Sequence, residues 1–125
     1  MTTLSIVAPS GKNIAEGRKT LEIRSWHPEK LPLTDLLIVE NGRFLIESDD
    51  SDDDGRLVAM VDSLELRPWL PVDVEAACAS RWEPGYWAWC ISNVRPVSTP
   101  ARTRAARKLY GIAIQPADLA RLIVG

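Results

Sequence analysis

Apolar and polar residues alternate along several short segments of the chain, as they do in half-buried β-strands. The alternation is clearest in "TLEIRSW", residues 20–26, where Leu21 and Ile23 face one way and Glu22 and Arg24 the other. Further apolar-rich runs predict strands at residues 4–8, 33–41, 56–69 and 86–97. We also predict a strand at residues 109–114, and residues 42–48 form another strand or continue the one before them.

Three helices are predicted between these strands. The first lies within residues 9–17, with Ser10 as its N-cap and Gly17 as its stop. The second spans residues 70–82 and buries Val74, Ala77 and Cys78. The last spans residues 116–125. Three segments are predicted as connections: a proline-bracketed loop at residues 27–32, an acidic hairpin loop at 49–54 and a basic linker at 98–108.

The element order predicts one α+β domain over residues 1–125. We expect a small mixed sheet that curls into a β-barrel and is flanked by short helices. The faces of the predicted strands separate the tryptophans. Trp87 and Trp89 share a face with Ile91 and are expected in the core, whereas Trp26 and Trp82 lie beside polar residues at the ends of elements.

Charge is divided unevenly along the 125 residues, whose formal net charge is −2. Residues 1–83 contain 16 acidic and 9 basic residues, whereas residues 84–125 contain 1 acidic and 6 basic residues. A protein that is acidic overall can still bind a polyanion through one basic segment. The same asymmetry also fits a solvated surface without a partner.

Several functional classes are not expected. No apolar run approaches the roughly 20 residues of a membrane span, and the N-terminus does not resemble a signal peptide, so a cytoplasmic location is expected. His27 is the single histidine, which argues against a zinc site or a Ser-His-Asp site. Cys78 and Cys90 are expected to be reduced and buried.

The acidic segment matches a calcium-binding loop in part. Asp50, Asp52, Asp54 and Gly55 fit its first positions, but Val61 stands where a bidentate Glu is required. We therefore expect no bound metal and no cofactor.

The segment "GRKTLEIRSW" resembles the signature of the ASCH family, the activating-signal-cointegrator homology domain. Gly17, Lys19, Glu22 and Arg24 match its pattern Gly-x-Lys-x-x-Glu-x-Arg. The helix before the motif and the segment "WEPGYWAWCISNVRPV" agree with the family over residues 4 to about 115, which leaves residues 116–125 outside its common core. The resemblance implies a PUA-like barrel and a cleft, lined by the motif, that recognises RNA or a modified nucleoside.

Two interpretations of the charged motif remain open. Lys19, Glu22 and Arg24 either line the rim of a ligand cleft or form a structural ion pair that fixes the helix to the strand. For a cleft, the implied ligand-binding residues are Lys19, Glu22 and Arg24, with Trp26 and Trp82 as stacking surfaces. A phosphate backbone would lie on five basic residues: Arg95, Arg102, Arg104, Arg107 and Lys108.

Some small bacterial members of the family resemble amidohydrolases that deacetylate N4-acetylcytidine, and others have been linked to RNA cleavage. The hydrolase-like members pair the motif Lys with a Thr and a distant Glu, which implies catalytic roles for Lys19 and Glu75. Glu22 stands at the position of the Thr, and an ionised carboxylate cannot replace a hydroxyl nucleophile, although it can act as a general base on water. Binding is therefore favoured over hydrolysis. A protein-interaction domain has no supporting feature beyond the acidic segment.

Overall fold

The computed structural model describes residues 1–47 and 49–123. A single six-stranded sheet with the order β2-β5-β4-β3-β1-β6 organises the chain. Its strands are β1 (Thr2–Val7), β2 (Leu21–Arg24), β3 (Leu33–Asn41), β4 (Ser51–Pro68), β5 (Trp87–Ala106) and β6 (Leu109–Gly111). The helices are α1 (Ser10–Ala15) and α2 (Pro116–Leu122), and a 3₁₀ turn spans Pro71–Asp73.

The sheet is mixed and curves into a half-barrel. β1 runs parallel to β3, and the remaining strand pairs are antiparallel. The β4–β5 pair contains four register shifts, which bend both long strands. These features confirm the predicted α+β class and curled sheet.

Apolar residues lie on both faces of the sheet, which explains the unbroken apolar run in β3. Leu36 and Ile38 pack into one core together with Ile14 of α1 and Trp89 of β5. The intervening Leu37 and Val39 pack into a second core on the opposite face, where Leu119 and Leu122 of α2 also contribute. α2 therefore covers one face of the sheet, and α1 the other.

The prediction of a helix at residues 70–82 is wrong. The helix is replaced by the short 3₁₀ turn and a following non-helical turn. The backbone carbonyl of Ala76 accepts hydrogen bonds from the backbone N–H groups of Thr20 and Leu21, at 2.9 and 3.3 Å. It therefore binds the start of β2 instead of an N–H group of a helix. Cys78 has a φ of 52° and is exposed, so its predicted burial is also wrong.

The two charged connections were also predicted wrongly. The acidic residues 51–54 belong to β4, and most of the basic segment 98–108 belongs to β5. The two segments pair with each other, Ser51 opposite Ala106 and Asp52 opposite Ala105, and Arg102 forms a 2.7 Å ion pair with Asp54. Opposite charges on neighbouring strands stabilise this end of the sheet.

Other differences concern the ends of elements. Residues 42–47 form a loop instead of a strand, and Ser48 lies outside the described residues. Pro9, rather than Ser10, precedes the first turn of α1, and no side chain caps it. Gly17 adopts a φ of 80°, in agreement with its predicted place at the helix end. Residues 124–125 of the predicted closing helix also lie outside the described residues.

Gly55 is predicted to be required for the β4–β5 pairing. A Cβ atom there would lie 2.8 Å from the Thr103 carbonyl oxygen and 2.8 Å from Cγ1 of Val39. We expect Gly55→Ala to lower the free energy of unfolding in urea by about 1–3 kcal/mol, because neither strand can shift without disturbing the core. Gly111→Ala is the matched control, since a Cβ there meets nothing within 4 Å. Equal stability of the two variants would contradict this account.

Candidate functional site

A cleft of about 390 Å³ opens beside β1 and β2, at the edge of the half-barrel. Its walls come from the end of β1 and the start of α1, from β2, from the loop after β3, and from the turn between β5 and β6. Four basic side chains and one acidic side chain are among the lining residues: Arg24, Arg43, Arg107, Lys108 and Glu22. The cleft therefore has a positive lining around a single carboxylate.

Glu22 lies in the wall of the cleft although its side chain is only 7% exposed. Its Oε1 accepts a hydrogen bond from the Ile23 backbone N–H at 3.0 Å and lies 3.6 Å from Nζ of Lys19. Its Oε2 lies 3.6 Å from Nη2 of Arg24, which is beyond hydrogen-bond distance. Among the described residues, no group donates a hydrogen bond to this Oε2.

Lys19 is buried and does not contribute to the cleft lining. Its ammonium group donates to the carbonyl oxygen of Ala77 at 2.6 Å and lies 3.6 Å from Oε1 of Glu22. The turn over residues 73–79 is thereby fixed to the start of β2. Lys19 and Glu22 do come together as the motif predicted, but Lys19 lies behind the cleft instead of on its rim.

Arg24 connects the motif to β1. Its Nη2 donates to the backbone oxygen of Ser5 at 2.7 Å, and its side chain is 23% exposed at the cleft. The hydroxyl of Ser5 also receives a hydrogen bond from the Ala106 backbone N–H at 3.0 Å. Ser5 thus joins the motif to the end of β5.

A second hydrogen bond from Ser5 extends to Tyr110. The Tyr110 hydroxyl donates to the carbonyl oxygen of Arg104 at 2.9 Å, so at the 2.7 Å contact the Ser5 hydroxyl is the donor. Burial raises the pKa of the Tyr110 hydroxyl above its ordinary value, in agreement with its role as a donor. This chain of contacts holds β6 and the β5–β6 turn against β1.

Aromatic rings contribute to the cleft as well. Trp26 lines it and packs edge-on against the buried Trp89, with 5.0 Å between the ring centroids. The ammonium group of Lys108 lies 5.7 Å from the centroid of Trp26. Phe44 also lines the cleft and is 75% exposed. Sequence reasoning missed Phe44, because residues 42–48 were interpreted as a strand.

The remaining predicted site residues lie elsewhere. Trp82 packs near Trp69 and donates its indole N–H to the Trp69 carbonyl oxygen at 2.9 Å, outside the cleft lining. Glu75 is exposed in the turn after the 3₁₀ segment and does not line the cleft. The structure therefore does not bring Glu75 together with Glu22 at one pocket.

The predicted basic stripe is divided among different partners. Arg95 forms ion pairs with Asp35 and Asp62, at 2.6 and 2.7 Å. The guanidinium group of Arg104 lies 5.2 Å from the centroid of the Tyr110 ring, while Arg102 pairs with the acidic end of β4. Arg107 and Lys108 alone of the five predicted basic residues line the cleft.

Within residues 1–47 and 49–123, no group of three or more His, Cys, Asp or Glu side chains is placed to hold a metal ion. In the same part of the chain, no helix combines the length and the apolar character that crossing a membrane would require.

Comparison with solved structures shows the fold. ASCH from Zymomonas mobilis matches with a TM-score of 0.54 at 12% identity, covering 96% of this chain and 91% of that one. A tyrosine-to-phenylalanine variant of the Zymomonas mobilis protein matches with a TM-score of 0.51 at 14% identity, covering 81% of this chain and 74% of that one. A comparison with curated protein sequences finds no match.

Comparison with family models identifies the same domain. The model of the ASCH domain matches residues 4–101, which include the motif and the wall of the cleft formed by β2. Residues 102–125, including Arg107, Lys108 and α2, lie beyond the matched segment. On this match and on the shared fold, the chain belongs to the ASCH domain family.

Proposed function

We propose that the protein binds single-stranded RNA, or a nucleoside from it, in the cleft between β1, β2 and the β5–β6 turn. The observation that carries the proposal is the composition of the lining: cationic side chains, two aromatic rings and one buried carboxylate share a single opening. Single-stranded RNA is recognised by the same combination, since bases stack on aromatic side chains and phosphates contact cations.

The size of the cleft supports a small flat ligand. Its volume of about 390 Å³ falls in the lower part of the roughly 300–1,000 Å³ range of small-molecule sites. Trp26 is held from behind by Trp89, so its ring is a fixed surface, whereas Phe44 is carried by a loop. In the proposed complex a base stacks on these aromatic side chains and its phosphate contacts Arg107 and Lys108.

The contacts of Lys19 and Glu75 support binding over hydrolysis. The Lys19 ammonium group is engaged by the Ala77 carbonyl and by Glu22, behind the cleft wall. Glu75 is exposed and does not line the cleft, so the arrangement implied by hydrolase-like relatives has no counterpart at this opening. Deacetylation of N4-acetylcytidine is therefore not the function we propose.

Arg107 and Lys108 are predicted to carry the electrostatic part of RNA binding. We expect the double variant Arg107→Ala/Lys108→Ala to weaken binding of a fluorescent single-stranded RNA octamer. The slope of log affinity against log salt should fall by about 1.4, because each phosphate contact on a single strand contributes roughly 0.7. Fluorescence anisotropy over a salt series measures both effects.

The matched control removes two positive charges from outside the cleft. Arg81 and Arg102 have side chains 80% and 73% exposed and do not line the cleft. Arg81→Ala/Arg102→Ala should retain most of the affinity and the salt slope. Equal losses in the two double variants would show that RNA is attracted by overall charge and not by this cleft.

Phe44 is predicted to stack on a base. Phe44→Ala should weaken RNA binding by about 1–3 kcal/mol, the usual contribution of one base–aromatic stack, without lowering thermal stability. Ile46→Ala is a close control, because Ile46 is 74% exposed in the same loop and does not line the cleft. If Ile46→Ala weakens binding as much as Phe44→Ala, the effect belongs to the loop and not to stacking.

Lys19 is predicted to be structural. Lys19→Ala removes the partner of a buried carboxylate and of the Ala77 carbonyl, and breaking a buried pair typically costs about 3–5 kcal/mol. We expect that loss in the urea unfolding free energy, whereas Lys12→Ala, whose side chain is 68% exposed, should change it little. A Lys19→Ala variant as stable as Lys12→Ala would contradict the structural role of Lys19.

A further inference from the structure

The wall of the cleft contains a buried acceptor, Oε2 of Glu22, that RNA phosphates cannot use. This oxygen has no hydrogen-bond donor among the described residues and belongs to a residue that lines the opening. An ionised carboxylate only accepts hydrogen bonds. A buried polar atom of this kind is costly to leave unpaired, so the ligand is expected to bring an N–H donor to it.

Arg24 places a donor beside that acceptor. Its Nη2 lies 3.6 Å from Oε2 and already donates to the Ser5 backbone oxygen, which fixes the guanidinium plane. A guanidinium group carries five N–H donors in a fork, so donors remain on this side chain for a ligand. The wall of the cleft therefore carries an acceptor and a donor next to each other.

The acceptor of Glu22 and the donors of Arg24 match one class of nucleobase edge. Cytosine and adenine each present an exocyclic amino group beside an unprotonated ring nitrogen, which is a donor next to an acceptor. Uracil and hypoxanthine present a carbonyl oxygen in place of the amino group, and a protonated ring nitrogen beside it. Uracil or hypoxanthine in the same pose would set oxygen against the Glu22 carboxylate and N–H against the Arg24 guanidinium.

We infer that the cleft selects cytosine and adenine, with Glu22 accepting from the exocyclic amino group and Arg24 donating to the adjacent unprotonated ring nitrogen. The inference rests on the proposed RNA-binding function and adds specificity to it. Trp26 and Phe44 hold the base by its faces, which every base offers alike. Glu22 and Arg24 read the edge, which differs between bases.

The test compares single-base changes in an otherwise uniform RNA. Wild-type protein is titrated at neutral pH with a uridine octamer and with the same octamer carrying one central cytidine. The cytidine octamer should bind at least about fivefold more tightly, as expected when an edge contact to a base is gained. A second pair, one central adenosine against one central inosine, should show the same preference without any protein variant.

Glu22→Gln then tests the residue. A glutamine amide can donate to a carbonyl oxygen as well as accept, so the ratio of the cytidine and uridine affinities should fall to near onefold in this variant. Glu65→Gln, a change at an exposed residue of β4 outside the cleft lining, should keep the preference. If Glu22→Gln does not fold, the two wild-type comparisons decide.

Each outcome has a separate meaning. If the two octamers of each pair bind tightly and with equal affinity, the base selection is overturned and the RNA-binding function stands. Tighter binding of the uridine and inosine octamers would overturn the selection as well. Failure of every octamer to bind would overturn the proposed function itself.

Discussion

The burial of Glu22 is the constraint on which the arrangement of the cleft depends. A carboxylate with so little exposure requires opposite charge nearby, because its desolvation is costly. Lys19 and Arg24 supply that charge from the two sides, and each also binds a backbone carbonyl of another segment. One buried charge thereby connects β2 to the turn over residues 73–79 and to β1.

The connection between β2 and β1 shapes the half-barrel. In the sheet, β2 and β1 are separated by β5, β4 and β3, so their proximity requires strong curvature. The hydrogen bond from Arg24 to Ser5 joins the two across the opening, and Ser5 also receives the Ala106 backbone N–H. The cleft lies where these strands meet without forming a continuous ladder. Closure of the sheet and formation of the site therefore have the same cause.

The motif and the core could be predicted from the sequence, whereas the charged segments could not. Gly17, Lys19, Glu22 and Arg24 were found as a pattern, and Trp89 was placed correctly in the core. In β5, Arg102 and Arg104 are exposed while Ala105 is buried, so strand alternation was present at residues 101–105. The inward positions hold small residues and the outward positions hold charges, so the alternation is hard to recognise in the sequence. The acidic partner strand is stabilised by pairing with this segment, a contact that no local pattern reveals.

Tertiary hydrogen bonds explain the other failures. Residues 70–82 have an apolar spacing compatible with a helix, but the Ala76 and Ala77 carbonyls bind Thr20, Leu21 and Lys19. For a related reason Phe44 was missed as a cleft residue and Trp82 was wrongly expected at the cleft. Which side chains line the cleft depends on which segments meet in space. Arg107 and Lys108 reach the cleft only because β6 returns the chain to β1.

Tryptophan indole N–H signals provide the most direct measurement of where RNA binds. The chain contains five tryptophans, and Trp26 lines the cleft whereas Trp82 packs near Trp69 outside its lining. In an NMR titration of nitrogen-15-labelled protein with a short single-stranded RNA, the account predicts a saturable shift of the Trp26 indole signal and an unchanged Trp82 signal. A shift of the Trp82 signal with Trp26 unchanged would contradict the assignment of the cleft as the binding site.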